Sequence, residues 1–75
     1  MTMTHIAAIG ERLRVVGLAT AGVVTFPAED PEAVRAAWRG LPPEVGLVIV
    51  TPAAAAALGP GPLDAEDPLT AVMPP

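Results

Sequence analysis

Few side chains in this sequence could take part in covalent or acid–base chemistry. The chain contains no Cys, Lys, Tyr, Ser, Asn or Gln. Their absence removes most nucleophiles, the amine needed for a Schiff base and most side chains that stabilise an oxyanion. The sequence therefore predicts no catalytic, cofactor-binding or metal-ligating residues, and we expect a protein that is not an enzyme.

The single histidine, His5, is a candidate general base or pH-sensitive group. It stands at the start of the first predicted strand, and so at the amino edge of the sheet. Ligands of α/β proteins bind at the opposite, carboxyl edge. An exposed edge residue without a catalytic role is the favoured interpretation.

The acidic residues Asp64, Glu66 and Asp67 are the candidate metal ligands. Glycine and proline flank them, and their spacing is not that of a calcium-binding loop. A solvated turn is the favoured interpretation.

Two residues follow central strands at the position where α/β proteins bind ligands: Glu11 and Thr51. The segment Gly10–Val15 has neither the GxGxxG pattern nor a phosphate-binding lysine, and Glu11 would repel a phosphate. The layout is similar to that of a response-regulator receiver. Receiver phosphotransfer needs an aspartate where Thr51 stands and a distal lysine, so phosphotransfer is not expected.

The run Val45–Val50 is apolar throughout and predicts a strand covered on both faces, as in a parallel α/β sheet. Thr51 and Pro52 then suit the cap and first position of a helix. The remaining chain repeats this strand–helix unit. Predicted strands are His5–Ile9, Val23–Phe26, Val45–Val50 and Leu69–Met73, and Gly59–Pro62 is predicted to be a loop.

Three helices are predicted between these strands. The first spans Glu11–Ala21, with Leu13, Val16 and Thr20 towards the sheet, Gly17 allowing close packing, and Gly22 ending it. The second begins at Asp30–Glu32, ends at Gly40 and buries Val34, Ala37, Trp38 and Leu41. Trp38 is assigned to the core, with a binding hot spot as the alternative. The third runs from Thr51 to Leu58, with Gly59 as its stop.

The order βαβαβαβ with right-handed crossovers predicts a four-stranded parallel sheet, order 2-1-3-4, with helices on both faces. This is a Rossmann-like or receiver-like α/β fold. A chain of 75 residues predicts one domain over 1–75.

Composition argues against two classes of partner. The net charge is −4 and the arginines lie among acids, so no basic stripe for nucleic acid forms. The apolar runs are too short to span a bilayer. Met1–Thr4 lacks the basic start of a signal peptide, and we expect a cytoplasmic protein.

Four segments of the chain follow one another in a characteristic order: Ile6–Gly10, Gly17–Val23, Glu44–Thr51 and Pro68–Pro74. In order and spacing they resemble the F subunits of V-type and A-type rotary ATPases. Members of that family open with an apolar strand ending in glycine and close with a strand ending in proline.

The resemblance implies a non-catalytic component of the central rotor stalk. It would bind the coiled-coil protein of the rotor stalk, known as the D subunit, and other components of the ATPase. It would lie at the membrane periphery and support ATP-coupled proton or sodium transport. Candidate partner surfaces are the acids of the second helix and the strand-four edge with Met73, Pro74 and Pro75. Two alternatives stay open: a receiver-like protein-interaction module, and a small-ligand-binding module using the crevice near Glu11 and Thr51.

Overall fold

The computed structural model describes residues 5–75. The segment Met1–Thr4, on which the argument about a signal peptide rests, lies outside them. Elements in chain order are β1 (His5–Gly10), α1 (Arg12–Val15), a 3-10 helix (Val16–Ala21), β2 (Val24–Pro27), α2 (Pro31–Arg39), β3 (Val45–Val50), α3 (Pro52–Leu58), α4 (Pro60–Leu63) and β4 (Leu69–Val72). No helix within the described range is both long and apolar enough to cross a membrane.

The four strands form one parallel sheet in the order β2-β1-β3-β4, which confirms the predicted α/β fold and strand order. Ile9 of β1 pairs with Phe26 of β2 and with Val50 of β3, and Val50 pairs in turn with Val72 of β4. Partner residues in a parallel sheet point to the same side, so these side chains form one row across the sheet.

One side of the sheet, which we call the core face, carries the main hydrophobic core. Ala7, Ile9, Val48 and Val50 are fully buried there. The helices α2 and α3 cover them, because the crossovers β2→β3 and β3→β4 run in the same direction across the sheet. The predicted stripe of α2 is confirmed: Val34 is buried, and its partly buried companions pack on the core, namely Ala37, Trp38 and Leu41.

The other side, which we call the open face, carries α1 and the 3-10 helix, because β1→β2 is the one crossover in the opposite direction. These two short elements contact β1 and β2. Val15 is fully buried, as is Ala8 of β1, yet neither belongs to the main core cluster. Helices therefore occupy both sides of the sheet, as predicted, but unequally.

The prediction of one long helix over Glu11–Ala21 is wrong. Four residues are α-helical and the next six form a 3-10 helix. Leu13 is 91% exposed and Val16 is also exposed, whereas Val15 is buried. A side chain added at Gly17 would meet only open space, so this glycine does not serve close packing.

The predicted loop at Gly59–Pro62 is also wrong in part, since Pro60–Leu63 forms the short helix α4. Proline tolerates the first turn of a helix, where its missing N–H has no partner to lose. Strand bounds differ from the prediction by one residue at β1, β2 and β4.

The predicted helix ends are confirmed. The Asp30 side chain accepts a hydrogen bond from Ala33 N at 2.8 Å, and Thr51 Oγ1 accepts one from Ala54 N at 3.3 Å. Gly22 and Gly59 end their elements with φ of 84° and 78°, in the range that favours glycine.

Candidate functional site

The carboxyl edge between β1 and β3 is the first candidate site, because the strand order reverses there and ligands of open α/β sheets bind at such a point. The sequence predicts Glu11 and Thr51 at this edge, and the structure brings them together. Thr51 Oγ1 donates a hydrogen bond to Glu11 Oε1 at 2.5 Å. Thr51 is fully buried and also caps α3, so both capacities of its hydroxyl are used within the fold.

Gly10 is part of the same arrangement. A Cβ at this position would lie 2.6 Å from Thr51 Oγ1, closer than any real contact allows. The glycine that ends β1 therefore makes room for the threonine after β3, which is a role in local packing.

The pKa of Glu11 is lowered from its ordinary value. The main cause is the hydrogen bond from the Thr51 hydroxyl, followed by one from its own backbone. Desolvation acts in the opposite direction, and the positive charge of Arg14 makes the smallest contribution to the lowering. Glu11 is thus held as a carboxylate, which suits a hydrogen-bond acceptor and not a general acid.

A pocket of about 100 Å³ opens beside this pair. Three carboxylate residues stand on its rim: Glu11, Glu29 and Asp30. Glu29 Oε2 accepts a hydrogen bond from Arg12 N at 2.8 Å, so its carboxylate satisfies the first turn of α1. The Asp30 carboxylate caps α2 in the same way. Each of these three carboxylates thus accepts a hydrogen bond from a backbone N–H or a side-chain hydroxyl of the chain itself.

The carboxyl edge offers little chemistry as built. Within residues 5–75, no three acidic or histidine side chains come together in a way that could hold a metal ion. The predicted candidates Asp64, Glu66 and Asp67 are all exposed and lie just before β4, at the other edge of the sheet.

His5 is exposed at the start of β1, at the amino edge, where the sequence predicts it. A second pocket, of about 270 Å³, lies at this same edge and is lined in part by Trp38 and Asp67. Trp38 is partly buried against the core, as predicted.

The predicted partner surface at Met73, Pro74 and Pro75 lies at the exposed end of the β4 edge strand. Met73 N donates a hydrogen bond to Val50 O at 2.8 Å, which extends the pairing with β3. Pro74 O accepts one from Arg14 Nη2 at 2.8 Å. The segment is thereby held in place, with both prolines accessible.

The open face presents a second feature, which we call the apolar patch. The register places Ile6, Leu47 and Leu69 in one row, and Ile49 beside Ala71 in the next. Ile6, Leu69 and Ala71 are exposed, and Leu47 and Ile49 are partly exposed. Among residues 5–75, no helix lies over β3 and β4 on this side, because α3 and α4 belong to the core face.

Sequence reasoning missed the roles of Glu29 and Arg14 and the apolar patch. The contacts of Glu29 and Arg14 join residues 17 and 60 positions apart, so no local pattern marks them. Leu69 and Ala71, two residues apart in β4, together with the unbroken apolar run of β3, could have indicated an uncovered face if the shortness of the first helix had been recognised.

Comparison of the chain with protein-family models, with curated proteins and with solved structures gives no match.

Proposed function

We propose that this protein is a non-catalytic binding component of the central stalk of a V-type or A-type rotary ATPase, similar to the F subunits of those complexes. Its partner in this proposal is the coiled-coil protein of the rotor, which we call the rotor coiled coil, next to other components of the complex. It would act on the cytoplasmic side, peripheral to the membrane, in the coupling of ATP turnover to proton or sodium transport.

The observation that carries the proposal is how the carboxyl edge is occupied. Thr51 and Glu11 stand where an α/β enzyme keeps its reactive groups, and they bond to each other and to a helix end instead. A chain without Cys, Lys, Ser or Tyr lacks most nucleophilic side chains, and the other acids of this edge, Glu29 and Asp30, accept hydrogen bonds from helix ends. Binding is therefore the better supported kind of function.

The order of the segments that resemble the F subunits supports the choice of partner. Those segments coincide with β1, with the 3-10 helix and its glycine end, with β3 and with β4. They thus form three adjacent strands and the element on the open face. The resemblance concerns the frame of the domain as a whole.

A pull-down tests this proposal. The full chain, immobilised through an added tag, is exposed to detergent extracts of membranes from the source organism, and bound proteins are identified by mass spectrometry. We expect the rotor coiled coil in near-equal amount, with the catalytic ATPase components beside it. Recovery of no ATPase component would overturn the proposal.

The small pocket beside Glu11 favours a second candidate function, a small-ligand-binding module. Its rim of Glu11, Glu29 and Asp30 repels phosphates and nucleotides and suits a small cation such as a primary amine. A thermal-shift screen of amines and nucleotides tests it, since a ligand at 100 times its Kd adds about 2.7 kcal/mol of stability. A Glu29→Gln variant that keeps the full shift would argue against this pocket.

A further inference from the structure

We infer that the apolar patch on the open face is the docking surface for an amphipathic helix of a partner protein, oriented by charge. The inference rests on the proposed function in taking the rotor coiled coil as that partner. It adds which surface of this chain binds the partner, that the bound element is an amphipathic helix, and in which direction that helix lies across the sheet.

The patch is a face of a parallel sheet that lacks its second layer. Parallel sheets are normally covered on both sides, because their strands are apolar on both sides. Here Leu47 and Ile49 of β3 and Leu69 of β4 have apolar side chains towards a side that no helix of residues 5–75 covers. A large contiguous group of exposed apolar side chains is typical of an interaction site.

A helix is the element that fits this space. The layer that covers a parallel sheet is helical, and α1 and the 3-10 helix already occupy the adjoining half of the open face over β1 and β2. A partner helix beside them would complete the layer over β3 and β4. Its side towards the sheet must be apolar, as the facing rows are Ile6, Leu47 and Leu69, then Ile49 and Ala71.

The ends of the patch carry opposite charges. Glu44, Glu66 and Asp67 are exposed at the amino edge, next to the starts of β3 and β4. At the carboxyl edge, Arg14 reaches from α1 to Pro74 O, so a positive charge stands beyond the end of β4. The Glu11 carboxylate at this edge lies after β1 and accepts a hydrogen bond from the buried Thr51, so Arg14 is the charged group next to the end of β4. A complementary helix is therefore basic where it crosses the amino edge. Near Arg14 it either carries acidic side chains or places its C-terminal end, which is the negative end of the helix dipole.

Steric overlap and charge both disfavour a second copy of the chain as the partner on the apolar patch. A two-fold axis across the strands would stack the two copies of α1 and hold the patches apart. A two-fold axis along the strands would avoid that clash, but would bring the two acidic amino edges together. Like charges facing each other across an interface oppose association.

The experiment compares two substitutions on β4. Leu69 belongs to the patch and is 57% exposed, while Val72 is 52% exposed and points to the core face. The purified full chain, wild type, Leu69→Asp or Val72→Asp, is titrated with the recombinant rotor coiled coil of the same organism. We expect Leu69→Asp to weaken binding at least about tenfold and Val72→Asp to change it less than about threefold.

A second arm uses two synthetic helices with a leucine stripe, one with lysines at its N-terminal end and glutamates at its C-terminal end, the other with these charges exchanged. We expect the first to bind more tightly to the wild type, and Leu69→Asp to abolish the binding. Circular dichroism of each variant establishes that it is folded. If Leu69→Asp does not fold, Leu69→Ala replaces it in both arms.

The outcomes separate the two proposals. Equal affinity of the rotor coiled coil for wild type and Leu69→Asp would overturn the docking surface and leave the proposed function standing. Binding of the first synthetic helix, sensitive to Leu69→Asp, without binding of the rotor coiled coil would overturn the proposed function and keep the surface. Binding of neither probe, or a wild-type dimer in light scattering that Leu69→Asp dissociates, would overturn the docking of a partner helix.

Discussion

On the core face, α2 and α3 cover the sheet and leave Ile9, Val48 and Val50 fully buried. On the open face, four residues of α-helix and a 3-10 helix cover β1 and β2 alone, and Leu69 is more than half exposed. The same four strands thus serve as a closed core on one side and as an accessible surface on the other.

The difference arises from the crossovers. Two of the three connections run towards β4 and place their helices on the core face, and only β1→β2 returns to the other side. One short connection cannot cover four strands. The strand order therefore leaves half of the open face without a helix of residues 5–75.

The largest expected effect concerns how much a side chain on each face contributes to the free energy of unfolding. Replacing Ile9 by Ala should reduce the free energy of unfolding by about 2–5 kcal/mol, because it leaves a cavity in a closed core. Replacing Ile49 by Ala, one strand away on the open face, should cost about half of that or less. Urea unfolding followed by circular dichroism measures both, and equal costs would show that the open face is covered as well.

A second prediction contrasts two glycines on the side of the open face. Gly10→Ala should destabilise the fold by about 1–3 kcal/mol, because the new methyl group collides with Thr51. Gly17→Ala should stabilise it by about 0.4–1 kcal/mol, since the site is open and the unfolded chain loses entropy. Thermal unfolding should shift Tm in opposite directions, and shifts of the same sign would contradict the packing described.

A third prediction concerns the edge where the two faces meet. Thr51→Val keeps the shape but loses the α3 cap and the bond to Glu11, and should cost about 0.5–2 kcal/mol at neutral pH. The lowered pKa of Glu11 means that its bond stabilises the fold above the ordinary glutamate range. That stabilisation is lost as the pH falls through the lowered pKa.

Urea midpoints measured from neutral to acidic pH check the third prediction. Thr51→Val should show a shallower acid loss of stability than the wild type. Glu11→Gln, which keeps an acceptor oxygen but does not titrate, should be shallower as well. A wild-type slope retained in both variants would assign the acid dependence to other carboxylates.

The smallest effects lie at the start of α2 on the core face. Asp30→Ala removes the cap and should cost about 1 kcal/mol. Glu32→Ala breaks the exposed pair with Arg35, 3.3 Å apart, and should change stability by no more than about 0.5 kcal/mol. Thermal unfolding in low and high salt should show the same order, and a larger effect for Glu32 would give the ion pair a role that its exposure argues against.

Local features of the sequence predicted much of the frame. The unbroken run of β3, the caps Asp30 and Thr51 and the stripe of α2 act within a few residues, and each lies where predicted. The prediction failed at α1 and at α4. Helices of four residues depend on tertiary contacts, which no local pattern shows, and at α4 these contacts outweigh the weak helix propensity of the prolines.

The candidate sites were predictable only in part. Glu11 and Thr51 could be placed at one edge because the carboxyl ends of parallel strands meet there. Their direct bond, and the use of Glu29 to satisfy α1, join distant parts of the chain. The predicted surface at Met73–Pro75 stays a prediction, and the apolar patch now stands beside it.

Composition and local periodicity were enough to predict the alternation of strands and helices, the strand order and the poverty of reactive groups. They could not predict how much of the second side of the sheet stays uncovered. That extent depends on where the first helix ends, because its length is set by packing between segments distant in the chain.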